Sequence, residues 1–202
     1  MTKYTRKNII TLPNPHLRDK STKVRELSPQ ILQTIQAMKD ATLDWEASRP
    51  HEVAVALAAV QIDRLERIII IREDFEDKDN HNFLVLINPE IVKYEGKIEL
   101  DEEGCLSVPD VYGKVPRWSK VRVRALDEDG RPIHFKSPNP FLARTLQHEI
   151  DHTNGICFID HITHDKKAFS VLDTNGDLVP ISFNKVQKLH ILPTDEDNHT
   201  IK

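Results

Sequence analysis

The sequence predicts an α+β fold in which antiparallel or mixed strands pack around a central helix carrying a His-Glu-x-x-His motif. Three observations predict it. The runs "RIIII" (67–71) and "FLVLI" (83–87) are short, apolar and β-branched, as strands are. The stretch "KVRVRALDEDGRPIHF" alternates through Val121, Val123 and Ala125, turns at Asp129-Gly130 and resumes at Ile133 and Phe135, which is a hairpin pattern. The helix "PFLARTLQHEIDHT" is surrounded by strands without the regular alternation that builds a parallel sheet.

The elements follow in order. Residues 1–24 read as an irregular arm. A helix follows in "SPQILQTIQAMKDATLDWEAS", with Ser28 as N-cap and Pro29 in the first helical position. Ile31, Ile35, Met38 and Trp45 fall at helical spacing and predict a core stripe. The acidic link "REDFEDKDNHN" reads as a solvated loop between two strands. Asn139 and Pro140 open the motif-bearing helix, and Asn154-Gly155 close it as a C-cap. "AFSVLDTNGDLVPISF" predicts a second hairpin turning at Asn175-Gly176. Asp173, Asn175 and Asp177 mimic a calcium loop, but Leu178 stands where glycine is required and no closing glutamate follows. The end, "PTDEDNHTIK", has the composition of a disordered tail.

Composition narrows the function. A chain of 202 residues suits one domain with a real core. A net charge of -4 and a pI near 6.2 point away from nucleic acid and lipid surfaces. No apolar run approaches the ~20 residues of a membrane span, and "MTKYTRKNII" lacks the apolar core of a signal peptide. Two cysteines, Cys105 and Cys157, do not make a disulfide scaffold and fit a reducing cytoplasm. The sequon at Asn198 therefore carries no expected glycan.

The motif "QHEIDH" (147–152) carries the chemistry. On a helix His148 and His152 face the same way, with Glu149 beside them as an acid/base group. A catalytic site of this type needs a third protein ligand. The long metalloprotease form would place a histidine at 158, where this chain has Phe158. The one downstream glutamate, Glu196, lies in the polar tail, and Asp160, His161, His164 and Asp165 match no peptidase pattern. Upstream, "EEGCLSVP" presents Cys105, whose thiolate is a strong ligand for a divalent ion.

Together these segments resemble the peptide deformylase family. The resemblance rests on "AVALAAVQ" (54–61), "EGCLS" (103–107) and "QHEIDH", in that order, and covers roughly residues 9–162. Ala54 and Ala56 depart from it, since the family has glycine at both positions. The resemblance implies a catalytic domain over residues 1–162, with residues 163–202 as a C-terminal extension made of a hairpin and a tail. It implies a cytoplasmic, monomeric hydrolase that removes formate from N-formyl-methionyl nascent peptides near the ribosome, using one divalent ion. That ion would be Fe²⁺, with Zn²⁺, Ni²⁺ or Co²⁺ as substitutes.

In that reading Cys105, His148 and His152 hold the metal and Glu149 moves the proton. By resemblance, Gln61 and the backbone N–H of Leu106 donate to the developing oxyanion. Val55, Phe141, Thr145 and Arg144 are expected to line the cleft; Phe141 and Thr145 lie seven and three residues before His148. Two alternatives stay open: a deformylase-like module that binds metal with little or no turnover, and a zinc peptidase.

Overall fold

The computed structural model describes residues 3–49, 52–77 and 79–193. The predicted polar tail beyond Pro193 and the sequon at Asn198 lie outside them. Helix α1 spans Pro29–Ala47; the Ser28 side chain accepts from the N–H of Ile31, and proline occupies the first turn. Strands β1 (Ala56–Ala58), β2 (Ile68–Arg72), β3 (Phe83–Cys105), β4 (Val108–Leu126) and β5 (Pro132–Lys136) precede helix α2 (Pro140–His152). After it come β6 (Phe169–Leu172), β7 (Leu178–Pro180) and the short α3 (Phe183–Lys188).

One sheet runs in the order β1-β2-β3-β4-β6-β7, with β5 also on β4, and every pairing is antiparallel. Strand β2 explains its own sequence. Ile68 and Ile70 face α1, beside Ile35 and Met38, while Ile69 and Ile71 face α2, beside Leu146 and Ile150. A strand covered on both faces reads as an unbroken apolar run. Leu146 is fully buried, and such a side chain contributes roughly 1.5–3 kcal/mol.

Strands β3 and β4 are far longer than the sequence patterns predict. They pair from Ile87↔Leu126 to Cys105↔Val108, with four register shifts along the way. Those shifts break the alternation of β3, while β4 keeps it, and the outer face carries exposed Ile98, Leu100 and Trp118. A strict period-two search therefore misses the middle of β3.

Helix α2 begins as expected: the Asn139 side chain accepts from Leu142 N at 2.8 Å, with Pro140 in the first turn. Past its end Gly155 adopts φ +77, and a Cβ there would lie 2.3 Å from the Arg18 carbonyl oxygen. Both left-handed backbone and close approach demand glycine. The second hairpin forms where predicted, with Gly176 at φ +86. It does not stand apart: Phe169 and Ser170 pair with Gly113 and Tyr112 of β4, and Phe169, Val186 and Ile191 complete a core cluster with Leu17 and Phe158.

Candidate active site

Helix α2 presents His148 and His152 one turn apart, their Nε2 atoms 3.2 Å from each other. The Cys105 sulfur, at the end of β3, lies 3.2 Å from His152 Nε2. The donor atoms of Cys105, His148 and His152 all lie within 4.8 Å of one another, a group that could hold a metal ion. Two imidazole nitrogens and a thiolate are the donor set that late divalent transition ions favour. Asp160 and His161 fall elsewhere: Asp160 pairs with Arg18, and His161 with Asp151.

Glu149 is buried beside this group, and its Oε2 has no hydrogen-bond partner among the described residues. Burial pushes its carboxyl up to about 7. A buried carboxylate left unpartnered is costly, and groups perturbed in this way cluster at functional sites.

The surroundings of the histidines differ. Glu103 Oε2 accepts from His148 Nδ1 at 2.9 Å. Burial opposes the His148 charge, but hydrogen bonds to Cys105 and Glu103 raise its pKa well above the usual value. Burial, reinforced by His148, depresses His152, whose Nδ1 is unpartnered. Glu103 in turn takes Arg117 on both oxygens, at 2.9 and 3.2 Å, and Arg144 Nη1 at 2.7 Å. Burial works against its charge, yet His148 and Arg117 hold its carboxyl well below the ordinary range. Arg117 also bonds Asp151, which His161 reaches at 2.7 Å.

The motif reading did not single out Glu103 or Arg117. Glu103 directly precedes Gly104-Cys105, and Arg117 sits at a buried position of an alternating strand. A charge at an apolar register position was the available signal, since buried charges require partners. Arg144 faces the cleft, but its donors reach Glu103 and the carbonyls of Glu99, Asp101 and Val115. Gln147 clamps α2 to β4, bonding both backbone groups of Trp118, at 3.1 and 2.8 Å.

Gln61 is almost fully buried. Its Oε1 accepts from Ala58 N at 2.8 Å, which fixes the amide. Nε2 then points to Ser107 Oγ at 3.1 Å and the Cys105 sulfur at 3.5 Å. Leu106 follows in the turn between β3 and β4. A cleft of about 300 Å³ opens over this group, and Val55, Leu106, Phe141, Arg144 and Thr145 all line it. Positive φ among the described non-glycine residues occurs at Asp63, Asn88, Asp110 and His190, so Ala54 and Ala56 carry no left-handed strain.

The polypeptide deformylase family model matches residues 6–168. The chain belongs to the peptide deformylase family. A peptide deformylase of Thermomicrobium roseum is 42% identical over 159 residues, covering 77% of this chain and 85% of that protein. Peptide deformylase 2 of Vibrio parahaemolyticus is 40% identical over 163 residues, covering 81% and 90%. Among solved structures, the Synechococcus elongatus peptide deformylase in complex with actinonin aligns with a TM-score of 0.70 at 30% identity, covering 96% of this chain and 90% of that one. This deformylase has the mixed α/β architecture of its relatives, and among its described residues no helix is long and apolar enough to cross a membrane. A zinc peptidase is not favoured, nor is a non-catalytic module: the family match covers most of the chain, Asp160 and His161 pair with Arg18 and Asp151, and the departures at Ala54 and Ala56 leave the backbone unstrained.

Proposed function

We propose that this chain removes the formyl group from N-formyl-methionyl peptides, releasing formate, with Cys105, His148 and His152 holding one divalent ion. The observation that carries the reading is the closeness of these three donors, within 4.8 Å, beside a buried glutamate oxygen without a partner. When bound, a divalent ion supplies Lewis acidity and brings the pKa of a water from ~15.7 toward ~7. Glu149 Oε2 would accept a proton from the attacking water and later return it to the leaving amine. Gln61 Nε2 and the Leu106 N–H donate to the formyl oxygen as it gains charge; one such donor is worth roughly 3–4 kcal/mol of transition-state stabilisation. Glu103 engages His148 at Nδ1, which leaves Nε2 as the ring nitrogen turned toward the other donors. Val55, Phe141 and Thr145 offer the methionine side chain an apolar wall, and Arg144 holds the floor by its carbonyl bonds.

Membership of the family, rather than the donor set, points to Fe²⁺ as the cellular ion; two imidazoles and a thiolate equally accept Zn²⁺, Ni²⁺ and Co²⁺. The reading places a monomer in the cytoplasm, close to ribosomes that deliver formylated chains, with the chemistry in residues 1–162 and an extension in 163–202. The test is formate release from formyl-Met-Ala-Ser against its acetylated counterpart, with metal analysis of protein purified without oxygen. Equal hydrolysis of both peptides, or none with metal bound, overturns it.

A further inference from the structure

Outside the metal centre, Glu46 and Arg72 form a buried pair that holds two distant segments. Glu46 Oε2 accepts from the backbone N–H of Ala54 at 3.0 Å and from Arg72 Nη1 at 3.1 Å. The Arg72 side chain is fully buried, and its Nη2 donates to the carbonyls of Asn80 at 2.7 Å and Asp77 at 3.3 Å. A buried guanidinium is costly unless its partners are well placed. Here that guanidinium fixes an acidic loop that is otherwise exposed, between β2 and β3. The loop's large apolar side chain is Phe75, whose ring lies 4.8 Å from that of Phe141 at an interplanar angle of 34°. Such separations are those of attractive aromatic pairs. Phe141 is 46% exposed at the cleft, on the face of α2 that carries Thr145 and His148.

A half-exposed ring without support samples several rotamers, and a fixed neighbour removes that freedom. We propose that Phe75 is a specificity-determining positioning residue: pinned through Arg72, it buttresses Phe141 and sets the width of the wall that receives the side chain of the formylated residue. The wall so held admits a slender, unbranched apolar side chain and excludes a bulky ring. This rests on the deformylase reading above.

The test compares kcat/KM for formyl-Met-Ala-Ser and formyl-Phe-Ala-Ser in the metal-loaded wild type, Phe75→Ala and Phe75→Tyr. The Met-over-Phe ratio should fall roughly two- to tenfold in Phe75→Ala, the range an aromatic pair supplies. The loss should appear as a raised KM for the methionine peptide at unchanged kcat and metal content, and Phe75→Tyr should keep the wild-type ratio. A general loosening of the protein would lower both rates together. An unchanged ratio in Phe75→Ala therefore overturns the inference. Failure of the metal-loaded wild type to release formate from either peptide would instead overturn the deformylase reading on which it stands.

Discussion

Glu103 Oε2 lies 2.9 Å from His148 Nδ1, on the far side of the ring from the nitrogen that faces His152. The carboxylate therefore fixes the ring's orientation and favours a proton on Nδ1. Arg117 and Arg144 hold it in place in turn. Glu103→Gln keeps an acceptor for His148 but withdraws the charge. Partners of this kind are typically worth 10–100-fold in metal affinity, so the variant should lose Co²⁺ or Ni²⁺ to a competing chelator roughly that much more readily. Retention at the wild-type level would show that Glu103 serves the arginines alone.

The two cysteines separate a donor from a core residue. Cys105→Ala should lose most of the bound metal and nearly all formate release. Cys157 is fully buried, and burial holds its thiol far above the usual range, which suits a packing role. Cys157→Ala should keep both metal and activity, at a modest stability cost. Metal analysis of the two purified variants decides the assignment; full metal content in Cys105→Ala would remove it from the proposed donor set.

Much of this site was legible from spacing. The helix caps at Ser28 and Asn139, the turn at Asn175-Gly176 and the histidine pair at four-residue spacing all follow from local rules, and local rules survive folding. Glu103, Arg117 and the full length of β3 and β4 did not. Their reasons are non-local: Glu103 matters because β4 delivers Arg117 and α2 delivers His148 to it. The fixing of Gln61 depends likewise on a turn that brings its own Oε1 back to Ala58.

Glu149 yields both a rate and a pH dependence. Glu149→Gln should retain metal and lose roughly 10²–10⁴-fold in rate. In the metal-free protein, burial raises its carboxyl from 4.5 to about 7. The folded chain thus holds this proton more tightly than the unfolded one. The resulting stability is present below about pH 4.5 and lost as the pH rises through about 7. With ~1.4 kcal/mol per pKa unit, the loss is on the order of 3 kcal/mol. Urea unfolding of chelator-stripped wild type and Glu149→Gln at about pH 5 and about pH 8 measures it. The wild type should lose more stability between the two than the glutamine variant; parallel curves would contradict the raised carboxyl.

Ala54 and Ala56 decide how far the departure from the family's glycines matters. Two uses of glycine were conceivable there: a left-handed backbone, or clearance for a bound peptide. The first is absent, since neither alanine has positive φ. Both methyl groups are buried, at 0% and 6% exposure, and Ala56 packs in the cluster that joins β2 to α2. Alanine therefore stabilises this segment, and glycine in its place should cost roughly 0.5–1 kcal/mol per position through added backbone freedom. Clearance remains, because Ala56 lines the cleft. The Ala54→Gly/Ala56→Gly variant should unfold at lower urea concentration while kcat/KM on a formyl-Met tripeptide changes by no more than about tenfold, equivalent to ~1.4 kcal/mol. The two readouts move independently: stability follows the buried methyls, and rate follows the cleft width. If the wild type with stoichiometric Ni²⁺ releases no formate and the glycine variant does, the methyl at the cleft blocks the peptide, and the natural chain is a metal-binding module rather than a working deformylase.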